Sequence, residues 1–243
     1  KYNVIILAAG IGKRIGPKGK KNPKSLFKIN NKAIIDNLFE ILIKKKPKNI
    51  TIIVGYKSKL IKKYLKKYND IKINYVTIDD YSRNGHSYSW YSYKKIWKLF
   101  KRPTILFHAD ILFDKKYLDN LIKSKYKDII GIRQVSKKLE NEIFYVSKKK
   151  LYVEKIAKIP NIQQPVGEII GINKISYSLM KKIFSFMEVY FKKKLNKKLS
   201  WEIVINDFIQ KNPNTFKILN HQRYPWININ RIEDFNKAKK LFD

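Results

Sequence analysis

The chain has 243 residues and no cysteine, so disulfide frameworks and thiolate metal sites are excluded; a metal would need oxygen or histidine ligands, which suits a hard cation such as Mg²⁺. Lysine and arginine total 54 against 19 acidic residues, a formal charge of +35 that raises the question of nucleic acid. Only six of the 54 are arginine, the lysines are spread through every segment, and no helix-turn-helix, zinc-finger or RRM signature accompanies them; abundant Asn, Ile and Tyr point to A/T-rich codons, and no specific nucleic-acid partner is expected.

The first apolar stretch, Val4 to Ala9, is too short to span a membrane and has no signal-peptide cleavage pattern, so a soluble, cytoplasmic protein is expected. Short β-branched runs predict strands over Asn3–Leu7, Ile50–Val54, Ile73–Thr77 and Thr104–Phe107. Between them, apolar residues at helical spacing predict helices over Ala33–Lys45, Lys57–Lys67 and Ser87–Leu99. This alternation predicts an α/β fold with a mostly parallel central sheet flanked by helices.

In the second half, Asp128–Gln134 and Glu168–Ile172 read as strands, with a lysine-rich hairpin from Ser136 to Lys158 between them. Helices are predicted over Ser178–Lys194, Trp201–Gln210 and Glu233–Phe242. No repeat, low-complexity linker or Pro/Gly hinge divides the chain. One domain over 1–243 is therefore expected, with a nucleotide-binding half (1–114), an acceptor-binding half (115–243) and the hairpin as a small inserted lid over the acceptor.

The first strand runs into Leu7-Ala8-Ala9-Gly10-Ile11-Gly12-Lys13-Arg14, with Pro23-Lys24-Ser25-Leu26 soon after. Small residues after a buried strand let backbone N–H groups approach a triphosphate, and Arg14 and Lys24 bring positive charge to where negative charge builds during phosphoryl transfer. Neither GxGxxG with a following acidic residue nor GxxxxGK[ST] is present. The compound pattern, LAAGxGxR followed by PK, resembles the signature of the nucleotidyltransferase family that includes sugar-phosphate nucleotidyltransferases and phosphocholine cytidylyltransferases.

That resemblance covers most of the chain and assigns roles by position. His108-Ala109-Asp110 follows a strand where the family places its Mg²⁺-binding acid, which implies Asp110; the alternative is an Asp that caps the next segment. Asn84-Gly85-His86-Ser87-Tyr88-Ser89 falls where relatives read the nucleobase, implying Gly85, His86 and Ser87, although Ser87 also suits a helix N-cap. Gly167 to Ile172 and Leu199 to Glu202 look most like the phosphocholine and phosphonate cytidylyltransferase branch. This implies an acceptor pocket of Glu168, Trp201 and Glu202 for a small cationic amine, with Trp201 equally readable as a core anchor.

Trp226-Ile227-Asn228-Ile229-Asn230, then Glu233-Asp234-Phe235, resembles the family's closing motif, where a second carboxylate joins the metal. Here the matching positions, Asn228 and Asn230, are amides, which implies a site leaning more on nucleotide phosphates. His86, His108 and His221 lie far apart without metal-ligand spacing and receive no catalytic role. The resemblance thus implies Mg²⁺-dependent transfer of CMP from CTP to a phosphorylated or phosphonate metabolite, through Lys24, Arg14 and Asp110. The alternatives are a sugar-1-phosphate uridylyl- or thymidylyltransferase and a nucleotide- or nucleic-acid-binding protein with weakened catalysis.

Overall fold

In the computed structural model, which describes residues 1–16, 21–79, 81, 91, 101–135, 139–193, 199–220 and 224–242, strand β1 (Asn3–Ala8) is buried along its whole length. Its side chains part by strand alternation: Ile5 and Leu7 enter one hydrophobic core, and Val4, Ile6 and Ala8 enter another. A strand apolar on both faces needs cover on both sides, and the rest of the chain supplies it.

In chain order, a small ribbon of β2 (Lys28–Ile29) and β3 (Lys32–Ala33) leads into α1 (Ile34–Lys45), then β4 (Asn49–Val54), α2 (Ser58–Leu65) and β5 (Ile73–Thr77). Strands β6 (Thr104–His108) and β7 (Ile111–Phe113), helix α3 (Lys115–Lys123) and strand β8 (Ile129–Arg133) follow. The hairpin β9 (Tyr145–Lys149) and β10 (Tyr152–Ala157) precedes the long β11 (Gly167–Ile175). Helices α4 (Tyr177–Lys193) and α5 (Trp201–Lys211), strands β12 (Lys217–Asn220) and β13 (Trp226–Asn228), and α6 (Ile232–Leu241) complete the chain.

Nine of these strands form one sheet in the order β5-β4-β1-β6-β11-β8-β12-β10-β9. Strands β5, β4, β1 and β6 are parallel, as βαβ crossovers dictate. Strand β11 then enters antiparallel to both β6 and β8, so the sheet is parallel in its first half and mixed in its second. The expected hairpin forms and is built into this sheet, β9 pairing with β11 and β10 with β12. Strand β11 runs three residues beyond the predicted Ile172, because Asn173, Lys174 and Ile175 keep pairing with β6.

Helices α1, α2 and α3 cover one face through Phe39, Ile61, Tyr117 and their neighbours, and α4 and α5 cover the other through Met187, Trp201 and Phe208. A third, smaller core joins Ile15, Ile29, Leu112, Ile227, Ile229 and Ala238. It fastens the loop after β1 to the β7–β13 ribbon and to α6, and of these β13 and α6 lie more than 200 residues from that loop in sequence. Among the described residues, no helix is long and apolar enough to cross a membrane. Apart from Tyr91, the predicted helix Ser87–Leu99 lies outside the described residues.

Candidate active site

At the carboxyl end of β1 the chain leaves the sheet. Gly12 has φ +68°, a left-handed conformation that side chains resist, and a Cβ there would lie 3.2 Å from the Cβ of Lys24. Glycine therefore lets the loop turn while Lys24, at the start of a 3-10 turn over Lys24–Leu26, passes beneath it. Leu7, Ala8, Gly10, Gly12, Arg14 and Lys24 line a cavity of about 190 Å³, together with His108, Asp110 and Asn230. Ala9, expected beside them, is buried in the core, its carbonyl accepting from the Tyr56 amide at 3.2 Å. Lys13 opens a short 3-10 turn over Lys13–Ile15, and Gly85, His86 and Ser87 lie outside the described residues.

Asp110 stands beyond the end of β6, a central strand, where open α/β sheets gather ligands. The Lys24 ammonium donates to Asp110 Oδ2 at 2.5 Å and to Asn230 Oδ1 at 2.8 Å. Arg14 Nη2 donates to the same Asn230 oxygen at 2.9 Å. Asn230 arrives there because β13 pairs antiparallel with β7, setting Asn228 opposite Ile111, and because the Ile229 amide donates to the Asp110 carbonyl at 2.9 Å. Asp234 secures the turn into α6, its Oδ2 accepting from the amides of Asn230 and Arg231 at 2.7 and 2.8 Å. Asn228 Oδ1 is buried with no hydrogen-bond partner among the described residues.

Past Asp110 and His108 the cavity opens into a cleft of about 1200 Å³. Glu168 and Glu202 both line it. Glu168 lies opposite Arg133 across the β8–β11 ladder and forms an ion pair with it. Burial pushes the Glu168 carboxyl above its ordinary value, with Arg133 opposing. Glu202, at the start of α5, is pushed up to about 7 by burial, against hydrogen bonds from its own backbone and Ser200 and the charge of Lys158; Asp110 adds to the rise. At the rim, Glu142 accepts from Arg231 and Arg14, at 3.1 and 3.3 Å, which holds its carboxyl below the usual range.

Trp201 corrects one expectation. It is 1 % exposed and belongs to the core, not the cleft wall. Its ring meets that of His108 edge-on at 6.0 Å, so it supports a residue that does line the cleft. His108, given no role from sequence, has room because β11 carries an irregularity at Gly171, whose φ is +73° and where a Cβ would come within 3.0 Å of the imidazole.

Sequence reasoning missed Arg133, Glu142, Lys158 and Arg231, all lining the cleft. Arg133 and Arg231 are two of only six arginines in a lysine-dominated chain, and that scarcity was the one available signal. Glu142 and Lys158 carried none.

Comparison with known proteins accords with this geometry. The profile described as nucleotidyl transferase matches residues 3–240. The CTP:phosphoglutamine cytidylyltransferase of Campylobacter jejuni is 28% identical over 199 residues, 77% of this chain and 78% of that protein. The choline-phosphate cytidylyltransferase of Streptococcus pneumoniae is 27% identical over 207 residues, covering 85% and 84%. Among solved structures, the CTP:phosphocholine cytidylyltransferase from Streptococcus pneumoniae superposes with a TM-score of 0.81 over 100% of both chains at 24% identity.

Proposed function

Because the chain belongs to the nucleotidyl transferase family, we propose that it is a cytoplasmic cytidylyltransferase, a single catalytic domain that moves CMP from CTP to a small phosphate- or phosphonate-bearing amine and releases pyrophosphate. The observation that carries this reading is the convergence of Lys24, Arg14 and Asp110 where the cavity after β1 opens into the larger cleft. The similarity to CTP-using relatives supports the choice of nucleotide.

A carboxylate and amide oxygens are the kind of donors that suit a hard cation. Asp110 provides one carboxylate, Asn228 a buried amide oxygen without a partner among the described residues, and Asn230 a second amide oxygen. No group of three or more His, Cys, Asp or Glu suited to a metal occurs among the described residues. Mg²⁺ is proposed to be held by Asp110 with these amides and the nucleotide phosphates, where it would neutralise phosphate charge.

The step itself asks little covalent chemistry of the protein. An anionic oxygen of the acceptor attacks the α-phosphorus of CTP; the new P–O bond forms as the bond to the β-phosphate oxygen breaks, and its electron pair leaves with pyrophosphate. The nucleophile is already charged, so no general base is required. The chain's part is to hold two repelling anions in line: the backbone after β1 cradles the phosphates, and Lys24 and Arg14 stabilise the charge shifting onto the leaving group.

Pyrophosphate release is the test, with CTP, UTP, ATP, GTP and dTTP against amine-bearing acceptors and glucose 1-phosphate, with and without Mg²⁺. Metal-dependent turnover of CTP with an amine-bearing acceptor is expected. Turnover of UTP or dTTP with glucose 1-phosphate in its place refutes the reading and makes the protein a sugar nucleotidyltransferase.

A further inference from the structure

The small cavity and the larger cleft meet at the end of β6, and four described residues line both: Arg14, His108, Asp110 and Asn230. In-line transfer needs the α-phosphorus at such a junction, with the leaving pyrophosphate on one side and the attacking oxygen on the other. Arg14, Asp110 and Asn230 already have places in the cytidylyltransferase reading. His108 has none. Lys24 and the loop after β1 serve the nucleotide phosphates, and the acceptor's anion, on the cleft side of the junction, needs a donor too.

The fold fixes the His108 ring and opens one edge of it. Strand alternation sends His108 to the same face as Leu106, where the Trp201 ring meets it edge-on at 6.0 Å. The residue is 8 % exposed, and its Nε2 is buried. Across the ladder, Ile172 of β11 pairs with Phe107, and the next residue, Gly171, lies against the imidazole. A Cβ at Gly171 would stand 3.0 Å from Cγ and 3.1 Å from Nδ1, so a side chain there would cover that edge. Glycine leaves the space empty, and because Gly171 lines the cleft, the space belongs to the cleft. Its φ of +73° is a conformation that other residues resist.

Building on the cytidylyltransferase reading above, we infer that His108 donates its Nδ1–H to the acceptor's phosphate or phosphonate and aims the attacking oxygen at the α-phosphorus. A hydrogen bond to an ionised oxygen is short and strong, and an imidazole N–H gives it a fixed direction. His108 touches substrate and moves no proton: the attacking oxygen is already anionic, and the ring keeps its N–H through the step. Gly171 belongs to the same device, since it makes the gap through which a phosphate oxygen reaches Nδ1.

The test measures KM for the acceptor and for CTP separately, with phosphocholine and 2-aminoethylphosphonate, in the native protein and in His108→Leu, His108→Asn and His108→Gln. The amide nitrogen of Asn falls near the position of Nδ1 and that of Gln near Nε2, so only Asn replaces the inferred donor. In His108→Leu the acceptor KM should rise roughly ten- to a hundredfold while the CTP KM stays within about threefold. His108→Asn should recover most of that loss and His108→Gln little; a ring needed only for packing would separate neither the two amides nor the two substrates. Nitrogen NMR of the native protein with labelled histidine gives a second readout that no unfolded variant can obscure. The Nδ1 signal of His108, one of three histidines, should shift when the acceptor joins a bound non-hydrolysable CTP analogue and not with the analogue alone. An unchanged acceptor KM in His108→Leu, equal losses in the two amide variants, or a His108 signal indifferent to the acceptor overturns the inference while leaving the cytidylyltransferase reading intact. Failure of CTP to turn over with any phosphate- or phosphonate-bearing amine overturns both.

Discussion

Lys24→Met keeps most of the apolar stem beneath Gly12 and removes the ammonium that links Asp110 to Asn230. The Lys24 and Asp110 side chains are 12 % and 19 % exposed. Removing one partner of a fully buried pair costs about 3–5 kcal/mol. Water reaches about a fifth of Asp110, so we scale this to roughly 2 kcal/mol, or about 4–8 °C in melting temperature for a chain of this size. Adding Asp110→Asn removes the stranded charge and should return part of that loss, a non-additivity of about 1–2 kcal/mol. The effect on turnover is larger, because a donor aimed at developing phosphate charge is worth about a hundred- to a thousandfold in kcat. Scanning calorimetry and single-turnover pyrophosphate release measure the two separately. Turnover within about threefold of native would refute the charge-stabilising role, and an unchanged melting temperature would refute the ion pair.

Asn230→Asp places a second carboxylate beside Asp110, where the amide oxygen now accepts from Lys24 and Arg14. The Mg²⁺ concentration for half-maximal pyrophosphate release should fall by roughly tenfold, and an unchanged or higher value argues against a metal at this position. Asp36 tests the scaffold away from the site. It accepts from the Ala33 amide, the Tyr64 and Tyr68 hydroxyls and Lys67. Burial alone would raise its carboxyl, but the hydrogen bonds from Lys67, Tyr64 and Tyr68 outweigh that and hold it below the usual range. A folded value below the unfolded one stabilises above the unfolded pKa and loses that effect as pH falls through the folded value. Asp36→Asn should therefore cost about 1–2 kcal/mol in urea unfolding at pH 7 and progressively less below about pH 4; the same deficit at both pH values would contradict this account.

The fold was legible because its signals are local. A strand such as β1, apolar on both faces, announces a covered sheet, and the helical spacing of α1 and α2 announces the cover. The loop after β1 was legible for a related reason: closeness to a phosphate and a left-handed turn at Gly12 restrict which residues fit, and the restriction shows in sequence.

Other features were decided only when distant segments met. Trp201 and Glu202 are neighbours in the chain, yet the start of α5 turns the indole into the core and the carboxyl into the cleft, a division set by packing on His108. Asn230 reaches Lys24 and Arg14 only because β13 pairs with β7 and a small core ties α6 to the loop after β1. Glu142, between Arg14 and Arg231, joins the site by the same route. Periodicity and backbone chemistry act over a few residues, so the sequence by itself determined the parallel half of the sheet, its flanking helices and the glycine loop, while the antiparallel entry of β11 and the place of β12 came only with the fold. Which charges neutralise one another, and which oxygen is left for a ligand, depends on contacts between segments far apart in the chain, and those the tertiary structure alone decided.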